Sequence, residues 1–216
     1  MNRPSLPGTV HVVDDDHAFR KAIGRVLTAA GHMPRLYASA NEYLEANDSD
    51  GPACVLLDLR MPGFTGLDLQ RTLATRSDAH PVIFLSAHGD IPTTVRAMQG
   101  GALDFLTKPV PTVTLLEAIH RALVADIDRQ EHAVRMTEVK RRYASLTARE
   151  RQVMAGVVAG LLNKQICFAL QAAERTVKTH RSRVMEKMQA RSVAELVRLA
   201  EELAAAGVTL AQMPAA

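Results

Sequence analysis

Five side chains in the first half of the chain could do chemistry together: the doublet Asp14-Asp15, then Asp58, Ser86 and Lys108. Each comes at the end of a short, strand-like run, namely Val10–Val13, Cys54–Leu57, Val82–Leu85 and Asp104–Thr107. Singly they have ordinary explanations. An Asp doublet after a strand caps turns and helices, and Lys108-Pro109 is a turn signal. Their common placement at strand ends points instead to one pocket. Carboxylates in close contact repel one another, a hard divalent cation relieves the conflict, and Mg2+ suits a site with few carboxylates and several waters. In such a pocket Asp58 is a carboxylate nucleophile towards phosphorus. The metal, the Lys108 ammonium and the Ser86 hydroxyl then neutralise or hydrogen-bond the phosphoryl oxygens.

The elements that must position these groups follow from periodicity. The four runs are strands, and Arg35–Tyr37 is a fifth. Between them lie helical patterns at Phe19–Ala30, from a Ser39/Glu42 capping box, at Gly66–Thr75 and at Thr93–Gln99, with a long helix beginning near Pro111. Strict alternation of five strands and five helices implies a parallel sheet with helices on both faces, and ligands of such folds sit beyond the carboxyl ends of the strands. If the strand order is 2-1-3-4-5, strands one, three, four and five end side by side and the five side chains share a rim. From Thr112 the helical pattern continues without Gly or Pro to about Arg142, and the charged stretch 126–142 reads as a solvated helical linker rather than a core element.

After Tyr143 no strand pattern remains. Capping boxes at Thr147/Glu150 and Ser192/Glu195 open the first and last of four helices, with Asn163–Leu170 and Glu174–Met188 between them. The charge splits accordingly. Residues 1–125 hold 11 Lys/Arg against 13 Asp/Glu, and residues 146–216 hold 10 against 6. An acidic front and a basic back suggest two modules, the second facing a polyanion. Along Glu174–Met188, Val177, Arg181, Val184 and Met188 share one face, so Arg181 must snorkel from the core margin. The opposite face presents Arg175, Thr179, Ser182 and Arg183, with Thr176 and Lys178 nearby, a set suited to a major groove and its phosphates. Asn163 and Lys164, opening the preceding helix, are placed to contact phosphate. The two cysteines, Cys54 and Cys167, lie far apart in apolar runs and read as buried thiols of a reducing cytosol. No stretch approaches bilayer-spanning length, and the N-terminus is too short and polar for a signal peptide.

Residues 9–125 resemble the receiver domain of two-component response regulators, through Val12-Val13-Asp14-Asp15-Asp16, Leu57-Asp58-Leu59-Arg60-Met61-Pro62-Gly63, Leu85-Ser86-Ala87 and Asp104-Phe105-Leu106-Thr107-Lys108-Pro109. The segment Ala87–Pro92 is similar to that of the FixJ subgroup. Residues 146–204 resemble the LuxR/NarL-type helix-turn-helix, through Leu146–Glu150, Gly160–Ile166, Thr176–His180 and Ala194–Val197. The resemblance implies a flavodoxin/CheY-like α/β receiver over 1–125, a helical linker over 126–143 and an all-α four-helix DNA-binding domain over 144–210. It assigns phosphorylation to Asp58, Mg2+ to Asp14, Asp15, Asp58 and the Arg60 carbonyl, and a switch pair to Ser86 and Phe105. Lys108 would contact the phosphoryl group, with a cis peptide before Pro109. The implied partners are a sensor histidine kinase, double-stranded promoter DNA, a second copy on phosphorylation and RNA polymerase. The implied setting is cytoplasmic, with no enzymatic turnover beyond self-phosphorylation and self-dephosphorylation. Two departures stand out: Gln171 where the inter-helix turn usually has Gly, and Ala173 where a Ser or Thr cap is usual. Three rival readings remain at this stage: a phosphorylation-independent docking module on the same DNA-binding domain, a stand-alone phosphohydrolase and a small-molecule sensor. Arg60 stands where a hydrolase would want a second acid/base, and the charged strand ends argue against an apolar sensor pocket.

Overall fold

The computed structural model describes residues 6–46, 51–76, 79–87 and 90–212. His88 and Gly89 of the FixJ-like segment, residues 1–5 and the tail end 213–216 lie outside the described residues. The chain forms two compact units, Met1–Gln130 and Glu131–Ala216.

In the first unit β1 (Thr9–Val13), α1 (His17–Ala29), β2 (Met33–Tyr37), α2 (Ala40–Glu45), β3 (Ala53–Asp58), α3 (Gly66–Ala74), β4 (Val82–Ser86), α4 (Ile91–Gln99) and β5 (Asp104–Thr107) alternate, and α5 (Thr112–Ala144) follows. The strands pair in parallel in the order β2-β1-β3-β4-β5. Central strands of a parallel sheet are covered on both faces and must be apolar throughout; β3 and β4 are buried along their whole length. On one face Val10, Val12, Leu56 and Ile83 pack with Leu27 of α1 and Ile119 of α5. On the other, Val13, Leu57 and Phe84 pack with Tyr43 of α2, Leu69 of α3 and Ala97 of α4. The register sets Val13 opposite Leu57, Asp58 opposite Leu85 and Ser86 opposite Thr107, so the carboxyl ends of four strands share one edge.

Capping separates into two kinds. Thr65 and Thr147 make complete boxes with Asp68 and Glu150, and their φ angles are −72° and −65°. Ser39 and Ser192, at φ −154° and −147°, accept from the Glu42 and Glu195 amides. The Glu42 and Glu195 carboxylates, however, accept from the preceding amides of Ala38 and Arg191. The boxes expected at these serines are therefore half-formed, because the more extended cap turns its own N–H away.

The stretch 126–142 is largely exposed, but Asp126, Met136 and Val139 within it are buried. α5 is a single helix of 33 residues. Asp126 is fully buried, and Val139 and Tyr143 belong to the core of the second unit. Burial pushes the Asp126 carboxyl up. His80 at 3.2 Å, the Ala53 amide at 2.9 Å and the Arg129 guanidinium at 2.8 Å outweigh it and hold the group below the usual carboxylate range. The Gln130 amide at 2.7 Å completes its partners. A charged residue in a charged segment thus closes the sheet's amino-terminal edge from beneath. Cys54 is buried as expected, its thiol pushed up to about 12 by burial and by Asp126, whereas Cys167 is only half-buried.

In the second unit α6 (Ala148–Val158), α7 (Asn163–Leu170), α8 (Glu174–Met188) and α9 (Val193–Ala205) pack around Met154, Ile166, Val177, Val184 and Leu196.

Asp126→Ala removes the shared acceptor of four groups. It is expected to cost about 3 kcal/mol at pH 7, read as a lower urea midpoint for the first unit. Because the folded carboxyl lies below its unfolded value of about 3.9, the wild-type advantage is complete at neutral pH and shrinks as the pH falls below about 4. A difference that stays constant with pH down to full acid unfolding contradicts this account.

Candidate functional site

At the carboxyl edge of the sheet, Asp14 follows β1, Asp58 ends β3 and Lys108 follows β5. The Lys108 ammonium lies 2.6 Å from Asp14 Oδ2 and 2.7 Å from Asp58 Oδ1. Asp14 and Asp58 are only 2% and 7% exposed. Asp58 Oδ2 accepts from the Arg60 amide at 2.7 Å, and Asp14 Oδ1 accepts from the Asp16 amide at 2.9 Å. Burial pushes the Asp58 carboxyl above its ordinary value, and the Lys108 hydrogen bond and charge only partly offset that. Burial alone would lower Lys108, but Asp14 and Asp58 reverse it and keep the ammonium charged.

Of the five residues expected at the rim, the structure brings Asp14, Asp58 and Lys108 into contact. Asp15 is exposed beside them. Among the described residues no three Asp, Glu, His or Cys side chains gather closely enough to ligate one ion. Of the three carboxylates expected at the rim, Asp14 and Asp58 are joined by the Lys108 ammonium, and Asp15 faces solvent. Ser86 is buried at the end of β4, and its carbonyl accepts from the Lys108 amide at 2.8 Å. Phe105 is half-buried, its ring stacked on Phe84 with centroids 6.0 Å apart. Arg60 is exposed, and the Lys108-Pro109 peptide is cis.

Sequence reasoning missed three contributors. A Cβ on Gly66 would lie 2.2 Å from the Asp58 carbonyl oxygen, so α3 can begin this close to Asp58 only because residue 66 has no side chain. Arg20 donates to the Asp14 carbonyl, and the Lys108 ammonium sits 3.9 Å from the centroid of the Phe19 ring. The glycine at the start of a helix was a visible signal; the other two contacts leave no local trace.

In the second unit α8 turns Val177, Val184 and Met188 inward and exposes Arg175, Thr176, Lys178, Thr179, Ser182 and Arg183. Lys178 pairs with Glu174 at 2.9 Å, and the Thr179 hydroxyl donates to the Arg175 carbonyl at 2.9 Å. Arg181, at the core margin, donates to Asn163 Oδ1 at 2.9 Å and so ties the start of α7 to the middle of α8. That leaves the Asn163 amide nitrogen, with exposed Lys164 beside it, for an outside acceptor. Lys187 faces inward, 2.7 Å from the buried Glu150 carboxylate. Burial pushes Glu150 up, and Lys187 with the Thr147 amide brings it below its ordinary value. His180 is half-buried and joins no metal-binding cluster among the described residues. Gln171 adopts φ 48°, and Ala173 caps α8 without a side-chain hydrogen bond. Gln189 repeats the left-handed conformation at φ 54° where α8 ends.

Residues 10–120 match the model of the response regulator receiver domain, and residues 144–200 match that of bacterial regulatory proteins of the luxR family. The chain is 42% identical over 194 residues to the response regulator protein TmoT of Ectopseudomonas mendocina, covering 90% of this chain and 88% of TmoT. It is 42% identical over 198 residues to the transcriptional regulatory protein FixJ of Azorhizobium caulinodans, covering 91% of this chain and 92% of that FixJ. Among solved structures it is similar to the response regulator StyR, with 42% identity, a TM-score of 0.76, and coverage of 90% of this chain and 98% of StyR.

Two substitutions probe the scaffolding. Gly66→Ala is expected to destabilise the first unit by about 1–3 kcal/mol, visible as an earlier thermal transition; an unshifted transition means that the Asp58 carbonyl moves freely. Gln171→Gly should stabilise the second unit by about 1 kcal/mol, read in urea, and a loss of stability would contradict the strain assigned to Gln171.

Proposed function

The chain belongs to the two-component response regulators that join a receiver domain to a LuxR-type DNA-binding domain, and from that premise we propose that Asp58 is the residue through which it is controlled. The protein is a phosphorylation-controlled transcriptional regulator whose receiver takes its phosphoryl group from a histidine kinase and whose helical domain binds DNA. The observation that carries the assignment is the buried Asp58 carboxylate sharing the Lys108 ammonium with Asp14 at the edge where four strands end.

The donor set fits a magnesium ion. Two buried carboxylates with one ammonium between them leave an all-oxygen site of net negative charge, and exposed Asp15 lies alongside. Asp14, Asp58 and the Arg60 carbonyl would hold the ion, with Asp15 turning in from its exposed position to join them, and when bound the ion would supply neutralising charge for the phosphoryl oxygens. An Asp58 carboxylate oxygen attacks phosphorus, and the donor's phosphorus bond breaks with its electron pair leaving on the donor. Asp58 becomes an acyl phosphate. Lys108 and the Ser86 hydroxyl then pair with phosphoryl oxygens. As Ser86 is drawn towards the new charge, Phe105 turns further in beside Phe84, a steric switch because the ring has no hydroxyl. In this reading the receiver spans 1–125, the connecting part of α5 spans 126–143 and the DNA-binding domain spans 144–210. Phosphorylation favours pairing of two copies, which sets two recognition helices on neighbouring half-sites. Arg175, Thr176, Lys178, Thr179, Ser182 and Arg183 then face the major groove and its phosphates, with Asn163 and Lys164 on the backbone. RNA polymerase is the downstream partner, and phosphoryl chemistry is confined to Asp58. Among the described residues no helix is long and apolar enough to cross a membrane, and a cytoplasmic site of action follows from the DNA target.

Treatment with acetyl phosphate and Mg2+ should add one phosphoryl group to the wild type and raise its affinity for selected DNA fragments, and Asp58→Asn should lose both responses. Full labelling of that variant removes Asp58 from the mechanism. Labelling without any change in DNA affinity removes phosphorylation as the control.

A further inference from the structure

Three groups hold the Lys108 ammonium: the Asp14 carboxylate, the Asp58 carboxylate and the face of the Phe19 ring, whose centroid is 3.9 Å away. We propose that Phe19 is a positioning residue for Lys108, its ring keeping the ammonium over the pocket while Asp58 is converted from a carboxylate to an acyl phosphate. The inference rests on the assignment of Asp58 above.

The ring is placed from several sides. Asp16 caps α1 and accepts from the Ala18 amide at 2.8 Å and the Phe19 amide at 3.1 Å, which fixes the backbone of residue 19. The ring is half-buried against the core that contains Ile23 and Leu27 of the same helix. The next residue, Arg20, donates to the Asp14 carbonyl, so the start of α1 is tied to the end of β1. A cation this close to a ring face is attracted by the ring's quadrupole, and the attraction grows as the cation loses water. Lys108 is 17% exposed.

The chemistry gives the ring a role the carboxylates cannot fill. Before transfer, two ammonium N–H groups point at Asp14 and Asp58. On transfer, Asp58 bonds to phosphorus, and the N–H that faced it must pass to a phosphoryl oxygen. A third carboxylate would compete with that oxygen for the proton. A ring face attracts the ammonium without accepting a strong hydrogen bond, so it holds the charge in place and leaves the donor available. Phe19 also lies against the core and could be packing alone, and the test separates the two roles by keeping apolar bulk while removing the ring.

The Lys108 side-chain protons of the full-length, unphosphorylated wild type should show an upfield ring-current shift by NMR. Phe19→Leu should abolish that shift, and Phe19→Tyr should keep it. With acetyl phosphate, Phe19→Leu should lower the saturating rate of labelling about threefold to tenfold, with a smaller change in the half-saturating donor concentration, and Phe19→Tyr should restore the rate. A Leu variant that labels at the wild-type rate overturns the proposal, as does a Tyr variant as slow as Leu, or an unshifted Lys108 in the wild type. If the Leu variant does not fold, the Lys108 shift in the wild type and the rate of the Tyr variant decide. A wild type that fails to label at Asp58 overturns the phosphorylation reading instead, and the Lys108 shift still judges the contact.

Discussion

The arrangement of the first unit follows from one ammonium placed between two buried carboxylates. Leaving Asp14 and Asp58 side by side away from water would be costly without Lys108 between them. The topology around it meets that requirement. Only a parallel sheet ends β1, β3 and β5 at the same edge, and the order β2-β1-β3-β4-β5 puts Asp58 beside Asp14, with Lys108 reaching back past β4. Gly66 lets α3 start against the Asp58 carbonyl, and α1 begins where Asp16 can cap it and Arg20 can reach Asp14. The apolar strands beneath form a platform, and the chemistry sits where their regular pairing stops.

The second unit solves a comparable problem with different parts. Buried Glu150 completes the cap of α6 and at the same time holds Lys187 near the end of α8, while Arg181 joins the middle of α8 to the start of α7. These two contacts fix the helix along its inner side. Its outer side keeps its cations and small hydroxyls exposed, and the weak points, an uncapped start and two left-handed glutamines, fall at its ends. The helix that would read DNA is thus held by ionic contacts and packing rather than by its own termini.

Much of this was legible in the sequence because it is local. Strand ends, the acidic doublet, the lysine before proline and the inward stripe of α8 all arise from spacing along the chain. Two things needed the folded molecule. One was distance: Phe19 lies almost ninety residues from Lys108 and reads in sequence only as part of an apolar helix face. The other was charge in context. Asp126 sits in a segment whose composition signals solvent, yet it is buried where His80 and Ala53, from far along the chain, meet it together with Arg129 and Gln130 of its own helix. Asp15 shows the reverse case, a carboxylate with the right spacing that stays exposed while its neighbour turns inward. The half-formed boxes at Ser39 and Ser192 carry the sequence pattern of complete ones, and the difference lies in a backbone angle that the pattern does not specify.

The Glu174–Lys178 pair gives the exposed face of α8 a built-in counterion. A cation that meets a nucleic-acid backbone normally does so with the release of condensed salt ions, and each such contact steepens the dependence of binding on ionic strength. On DNA bound as proposed, Lys178 would instead exchange one anion for another, leaving Glu174 to be rehydrated or to accept from a cytosine amino group. In the proposed complex its share of the salt dependence would accordingly be smaller than that of Arg175 or Arg183.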